Sequence, residues 1–153
     1  MNRHFASRKA AHVLGFAGLI PFVGLSLACW LVQRDWLPIV VSGQLSYGVA
    51  ILSFLGGVHW GAALLCSEIS STRTRLALLW GVTPSLIGVA AAQVLIGIGF
   101  ALMIAAFMLV YLIDRRLYAW YRLPDWLLVL RFRLTCVVVA ALALTFVAVN
   151  LRS

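Results

Sequence analysis

Apolar residues run almost unbroken through five stretches, roughly 11–32, 43–66, 76–94, 99–113 and 125–149. About 20 such residues, wound as a helix, cross a bilayer core with every backbone hydrogen bond made internally. The pattern therefore predicts an all-α fold: a polytopic integral membrane bundle of five transmembrane helices, one domain over residues 1–153. The link around Ile96, Gly97, Ile98 and Gly99 is tiny and uncharged, so spans three and four should form a tight antiparallel hairpin. Residues 114–124 mix Arg115, Arg116 and Arg122 with Tyr118, Trp120 and Tyr121. That mixture predicts an interfacial segment at headgroup level.

Helix breakers and small residues refine the picture. Pro21 should kink span one, and Pro84 should open span three at the carbonyl of Trp80, with Thr83 and Ser85 beside the break. Ala11, Gly15 and Gly18 make a close-packing stripe on span one. Ala50, Ser53, Gly57 and Gly61 repeat at helical spacing on span two, and Gly81, Ser85, Gly88 and Ala92 do so on span three. Such stripes let helix backbones approach closely, and Gly57 with Gly61 forms a GxxxG pair. The candidate packing set is Gly56, Gly57, Gly61, Gly81, Gly88 and Pro84. Ser26-Leu27-Ala28 also matches a small-x-small cleavage site, but the apolar run is long for a signal and more spans follow.

Composition agrees with the runs. The chain is 64% hydrophobic and 10% charged, with a mean hydropathy of +1.06. Its formal charge is +8, from 12 basic and 4 acidic side chains. The positives sit between apolar runs, which favours a role in membrane orientation over nucleic-acid binding. With the N-terminus inside, Arg3, Arg8, Lys9, Arg73, Arg75, Arg115, Arg116 and Arg122 face the cytoplasm, against Arg34 and Arg152 outside. The expected topology is N-inside, C-outside, in a bacterial cytoplasmic (inner) membrane. Cys29, Cys66 and Cys136 have neither disulfide nor zinc spacing and read as small apolar residues.

The unusual chemistry lies at depth. Polar groups inside a membrane are costly and turn toward the bundle interior. At ~1.5 Å per residue, His59, Thr83 and Arg131 fall at similar depths, with Asp114 at the end of span four. This predicts a cytoplasm-side polar layer of His59, Thr83, Asp114 and Arg131. His59 is either a proton-handling or ligand-binding group, or a hydrogen-bonded clamp between helices. Asp114 pairs either with Arg131 or with a neighbouring arginine, while Arg131 and Arg133 have headgroups as an alternative. No nucleophile sits in a readable triad and no metal-ligand spacing occurs, so neither catalytic residues, a metal nor a cofactor is expected.

Three strings carry a resemblance: Tyr47–Gly61 (YGVAILSFLGGVHWG), Trp80–Gly88 (WGVTPSLIG) and Leu123–Thr135 (LPDWLLVLRFRLT). Together the chain resembles the domain-of-unknown-function 3429 family, small multi-span membrane proteins found in bacteria and with a mitochondrial member. The resemblance implies a helical membrane fold and brings no functional residues with it.

The expected function is that of a non-catalytic helical-bundle or assembly protein, its surroundings the lipid bilayer and a membrane-protein partner or a second copy. A small transporter or channel using the layer around His59 is the alternative, and a lipid- or quinone-handling enzyme the second alternative.

Overall fold

The computed structural model describes the backbone of residues 3–152 and the side chains of residues 8–152. The side chain of Arg3, one of the charges assigned above to the cytoplasmic side, lies outside the described residues. Six helices follow one another: α1 (Arg3–Ala17), α2 (Ile20–Leu31), α3 (Leu37–Leu65), α4 (Ser71–Gln93), α5 (Ile96–Trp120) and α6 (Asp125–Arg152). A short 3₁₀ turn, Arg34–Trp36, leads into α3. No strand occurs among the described residues. With α1 and α2 counted as one interrupted span, five helical segments are long and apolar enough to cross a membrane.

Span one breaks where Gly18 and Leu19 form a turn. Pro21 sits just after it, in the first turn of α2, where a missing N–H costs nothing. Two hydrogen bonds from α3 hold the interrupted span in place. Tyr47 donates its hydroxyl to the Gly18 carbonyl at 2.9 Å, and Gln44 donates Nε2 to the Phe22 carbonyl at 3.2 Å. Pro84 is different, because α4 runs straight through it. Thr83 and Ser85 turn their hydroxyls onto their own helix, at the Leu79 and Val82 carbonyls.

The helices form a closed ring in which α2, α3, α4, α5 and α6 each touch the next and α6 returns to α2. The α3–α4 contact is the most extensive. On α3 the buried face reads Leu45, Gly48, Leu52, Leu55, Gly56, His59 and Ala63. These spacings of three and four make one helical stripe. Gly56 and Gly81 lie at the α3–α4 crossing. A Cβ built on Gly56 would collide with the Gly81 carbonyl oxygen, and one on Gly81 would come within 2.8 Å of the Gly56 oxygen. Gly88 continues the contact against Leu52 and Val49.

Gly57 and Gly61, expected at this crossing, are not there. Both are exposed, with nothing within 4 Å of a built Cβ. Ala50 and Ser53 are exposed too, so the whole smooth stripe faces out of the bundle. The reason is rotational: neighbouring residues on a helix stand about 100° apart, and the buried stripe takes Gly56 rather than Gly57.

The α4–α5 hairpin is tighter than expected, since Val94 and Leu95 alone separate the helices. Gly97 and Gly99 lie inside α5, and a Cβ on Gly99 would meet the Ala91 carbonyl at 2.5 Å. Helix α5 also continues to Trp120, so most of the expected interfacial segment is its last two turns.

Basic and aromatic residues gather at one end of the ring. Arg8 lies over the Trp126 ring at 5.8 Å and Arg73 over Trp120 at 5.3 Å, while Arg122 pairs with Glu68 at 2.7 Å between two loops. At the opposite end, Arg152 donates to the carbonyls of Cys29 and Val32, capping α2 from α6.

Candidate functional site

Near the basic end, three helices bring one polar side chain each to a common point. His59 comes from α3, Asp114 from α5 and Arg131 from α6; they are 0%, 1% and 7% exposed. Asp114 stands two turns before the end of α5, with its side chain turned inward. Nε2–H of His59 donates to Asp114 Oδ1 at 2.7 Å. Arg131 donates Nε to Asp114 Oδ2 at 3.2 Å, and Nη2 to the same oxygen. Asp114 therefore pairs with Arg131 rather than with its sequence neighbours Arg115 and Arg116, which are exposed.

Tyr121 completes the cluster from just beyond α5. The helix ends in a Schellman turn: Leu123 N–H donates to the Tyr118 carbonyl and Arg122 N–H to the Ala119 carbonyl. Arg122 takes the left-handed position at φ 51°, a place glycine usually fills. That turn holds the Tyr121 hydroxyl 3.3 Å from His59 Nδ1. Burial first, and then the nearby Asp114 carboxylate, push Tyr121 up to about 12. The phenol therefore keeps its proton at ordinary pH, and its hydroxyl stays within hydrogen-bond reach of Nδ1. The Asp114 charge is balanced by Arg131, and both oxygens of the carboxylate and both nitrogens of the imidazole are engaged. The tilted rings of Tyr118 and Tyr121 flank His59, with centroids at 5.8 and 5.9 Å.

Thr83 does not join them. It is only partly buried and bonded within its own helix, so the polar layer holds three of the four expected residues. At the α3–α4 crossing Gly56 meets Gly81 and Trp60 meets the Leu78 carbonyl, so His59 stands level with the turn before Thr83. Arg133 is exposed, on a different face from Arg131. The sequence pattern marks Tyr121 and Tyr118 as headgroup aromatics, yet Asp114, Tyr118 and Tyr121 stand at i, i+4 and i+7 and share a face. Among the described residues no group of three or more His, Cys, Asp or Glu side chains could hold a metal.

Two openings border this cluster. Tyr121 lines a wide cleft of about 440 Å³ together with Cys66, Ser67, Glu68 and Arg122, at the basic end. Arg131 lines a smaller cavity of about 120 Å³ between α1–α2, α3, α5 and α6.

No solved structure shows a significant match. Transmembrane protein 69 of Mus musculus is 26% identical over 155 residues, covering 95% of this chain and 58% of the relative. Transmembrane protein 69 of Xenopus tropicalis is 52% identical over 56 residues, 37% of this chain and 22% of the relative. The chain thus spans little more than half the length of these curated relatives, or less. The model of the family described as "Protein of unknown function (DUF3429)" matches residues 7–147, and the chain belongs to that family.

Proposed function

We propose that the chain is a non-catalytic helical-bundle protein that assembles with another transmembrane helix, in the inner membrane of a bacterium. The observation that carries this reading is the outward stripe of Ala50, Ser53, Gly57 and Gly61. It has the small-residue surface of a helix crossing, yet the bundle leaves it uncovered among the described residues. The closed polar cluster supports the same reading, since its groups are engaged with one another and fix three helices together.

The test is association in native-like bilayers. Gly57→Leu should leave thermal stability unchanged and abolish a crosslinked or co-purified complex formed by the unmodified chain. Mass analysis of the complex separates a second copy from a different membrane protein. An unmodified chain that stays monomeric and alone in the membrane overturns the reading.

A transporter is the second reading, favoured by one observation: the hydrogen bonds from Tyr121 through His59 and Asp114 to Arg131 connect a polar cleft with an apolar cavity. Proton flux into proteoliposomes that His59→Gln abolishes without unfolding the protein would establish it, and absence of flux would remove it.

The proposed orientation is N-inside and C-outside. The structure groups Arg8, Lys9, Arg73, Arg75, Arg115, Arg116 and Arg122 near one end of the ring, with Arg34 and Arg152 near the other. Reporter fusions after Ser70 and after Ser153 should report opposite sides, cytoplasmic for the first. The reverse assignment, or both on one side, refutes the orientation.

A further inference from the structure

The cavity beside Arg131 has a composition that points to a ligand. Its walls are apolar: Leu14, Leu19, Phe22, Ile51, Phe54 and Phe107 are among them, and it lies against the break between α1 and α2. Two polar side chains reach it, Arg131 and Thr135, one helical turn apart on α6. Both are 7% exposed. Thr83 and Thr145 each turn their hydroxyl onto the carbonyl four residues earlier. Thr135 does not, and its hydroxyl has no partner among the described residues. The shallow groove on the other side of Thr135, between α5 and α6, is apolar throughout, which leaves the hydroxyl to this cavity.

We propose that this cavity binds the head of a neutral, carbonyl-bearing ring lipid of the quinone class, with its hydrocarbon tail leaving toward the bilayer past Leu14 and Phe54. Three features select that chemistry. The two polar side chains are donors: a guanidinium only donates, and a free hydroxyl can donate, so a head that meets them must accept. The head must be uncharged. The Arg131 charge is already matched by Asp114, and an anionic head would place an unbalanced charge at a dry site. The space is small and apolar: about 120 Å³ lined by three phenylalanines, somewhat below the roughly 150 Å³ of a cavity that takes up benzene, so it admits the edge of one ring and leaves the rest toward the bilayer. The site does not depend on the assembly reading above.

The probe is a photoreactive benzoquinone with a decyl tail, used on the full chain in lipid nanodiscs, with decylubiquinone and oleate as competitors. Crosslinks should map to α1, α2, α3 and α6 around the cavity, and decylubiquinone should suppress them more strongly than oleate. Thr135→Val removes one hydrogen bond at nearly constant volume and should weaken binding about tenfold. Ile51→Trp fills the space from α3 and should abolish the mapped crosslinks. Crosslinks spread over the whole lipid-facing surface without competition would overturn the proposal. So would oleate competing as well as decylubiquinone, or Thr135→Val binding as tightly as the unmodified chain, because the cavity would then hold an acyl chain without reading its head. If Ile51→Trp fails to fold, the Thr135→Val comparison still decides.

Discussion

Arg131→Leu should destabilise the bundle by about 3–5 kcal/mol, the usual cost of stranding one partner of a buried ion pair. The Asp114 carboxylate would keep its hydrogen bond from His59 and lose the charge that balances it, in a place 1% exposed. Asp114→Leu should cost a comparable amount for the mirror reason, because a guanidinium would be left in an apolar setting. The double variant should lose less than the sum. Removing both charges also removes both desolvation costs, and a well-packed apolar pair in place of an ionic one is often close to neutral. It should still fall below the unmodified chain, since the His59 Nε2–H would have no acceptor, a loss of roughly 1–3 kcal/mol. Equilibrium unfolding in bicelles for the two single variants and the double variant measures the coupling directly. Strictly additive losses would show that the pair contributes nothing as a pair.

Gly56→Leu should unfold or misassemble the α3–α4 pair, whereas Gly57→Leu, one residue along, should leave stability unchanged. At Gly56 the obstruction is the backbone of Gly81, which cannot rotate aside as a side chain can. Even Gly56→Ala must push the helices apart, at a cost of about 1–3 kcal/mol or more. The loss would spread, because Trp60 donates Nε1 to the Leu78 carbonyl across the same crossing at 3.0 Å. Thermal unfolding of the three variants in detergent is the measurement. Equal stability for Gly56→Leu and Gly57→Leu would mean that the crossing lies elsewhere.

This contrast between adjacent glycines shows what the residues reveal and what they conceal. The spans were legible because lipid demands long apolar helices and short polar links. The inward face was harder. In a soluble helix, polar residues mark the outside, but here lipid and core are equally apolar and small residues fit either side. The GxxxG spacing therefore misled. His59 was the better guide, since a buried imidazole fixes the rotation and carries Gly56 and Ala63 inward with it at i−3 and i+4. Asp114 and Arg131 were readable for the same reason: each is too costly to leave in lipid. Thr83 was not, because a threonine can satisfy itself on its own helix and so tolerates many positions. Tyr121 was obscured by the turn that places it. Its approach to His59 depends on a left-handed arginine that no composition rule anticipates.

The short link between α5 and α6 has a consequence for how the protein enters its membrane. Residues 121–124 are all that separate the two helices. Asp114 on α5 and Arg131 on α6 are opposite charges only 17 positions apart. A helix carrying a bare carboxylate two turns from its end partitions poorly into lipid by itself. As the chain leaves the translocation machinery, α5 is therefore best released together with α6, as a hairpin whose charges are already matched. Lengthening the 121–124 link would separate the two arrivals and leave Asp114 waiting at the bilayer with His59 as its only partner.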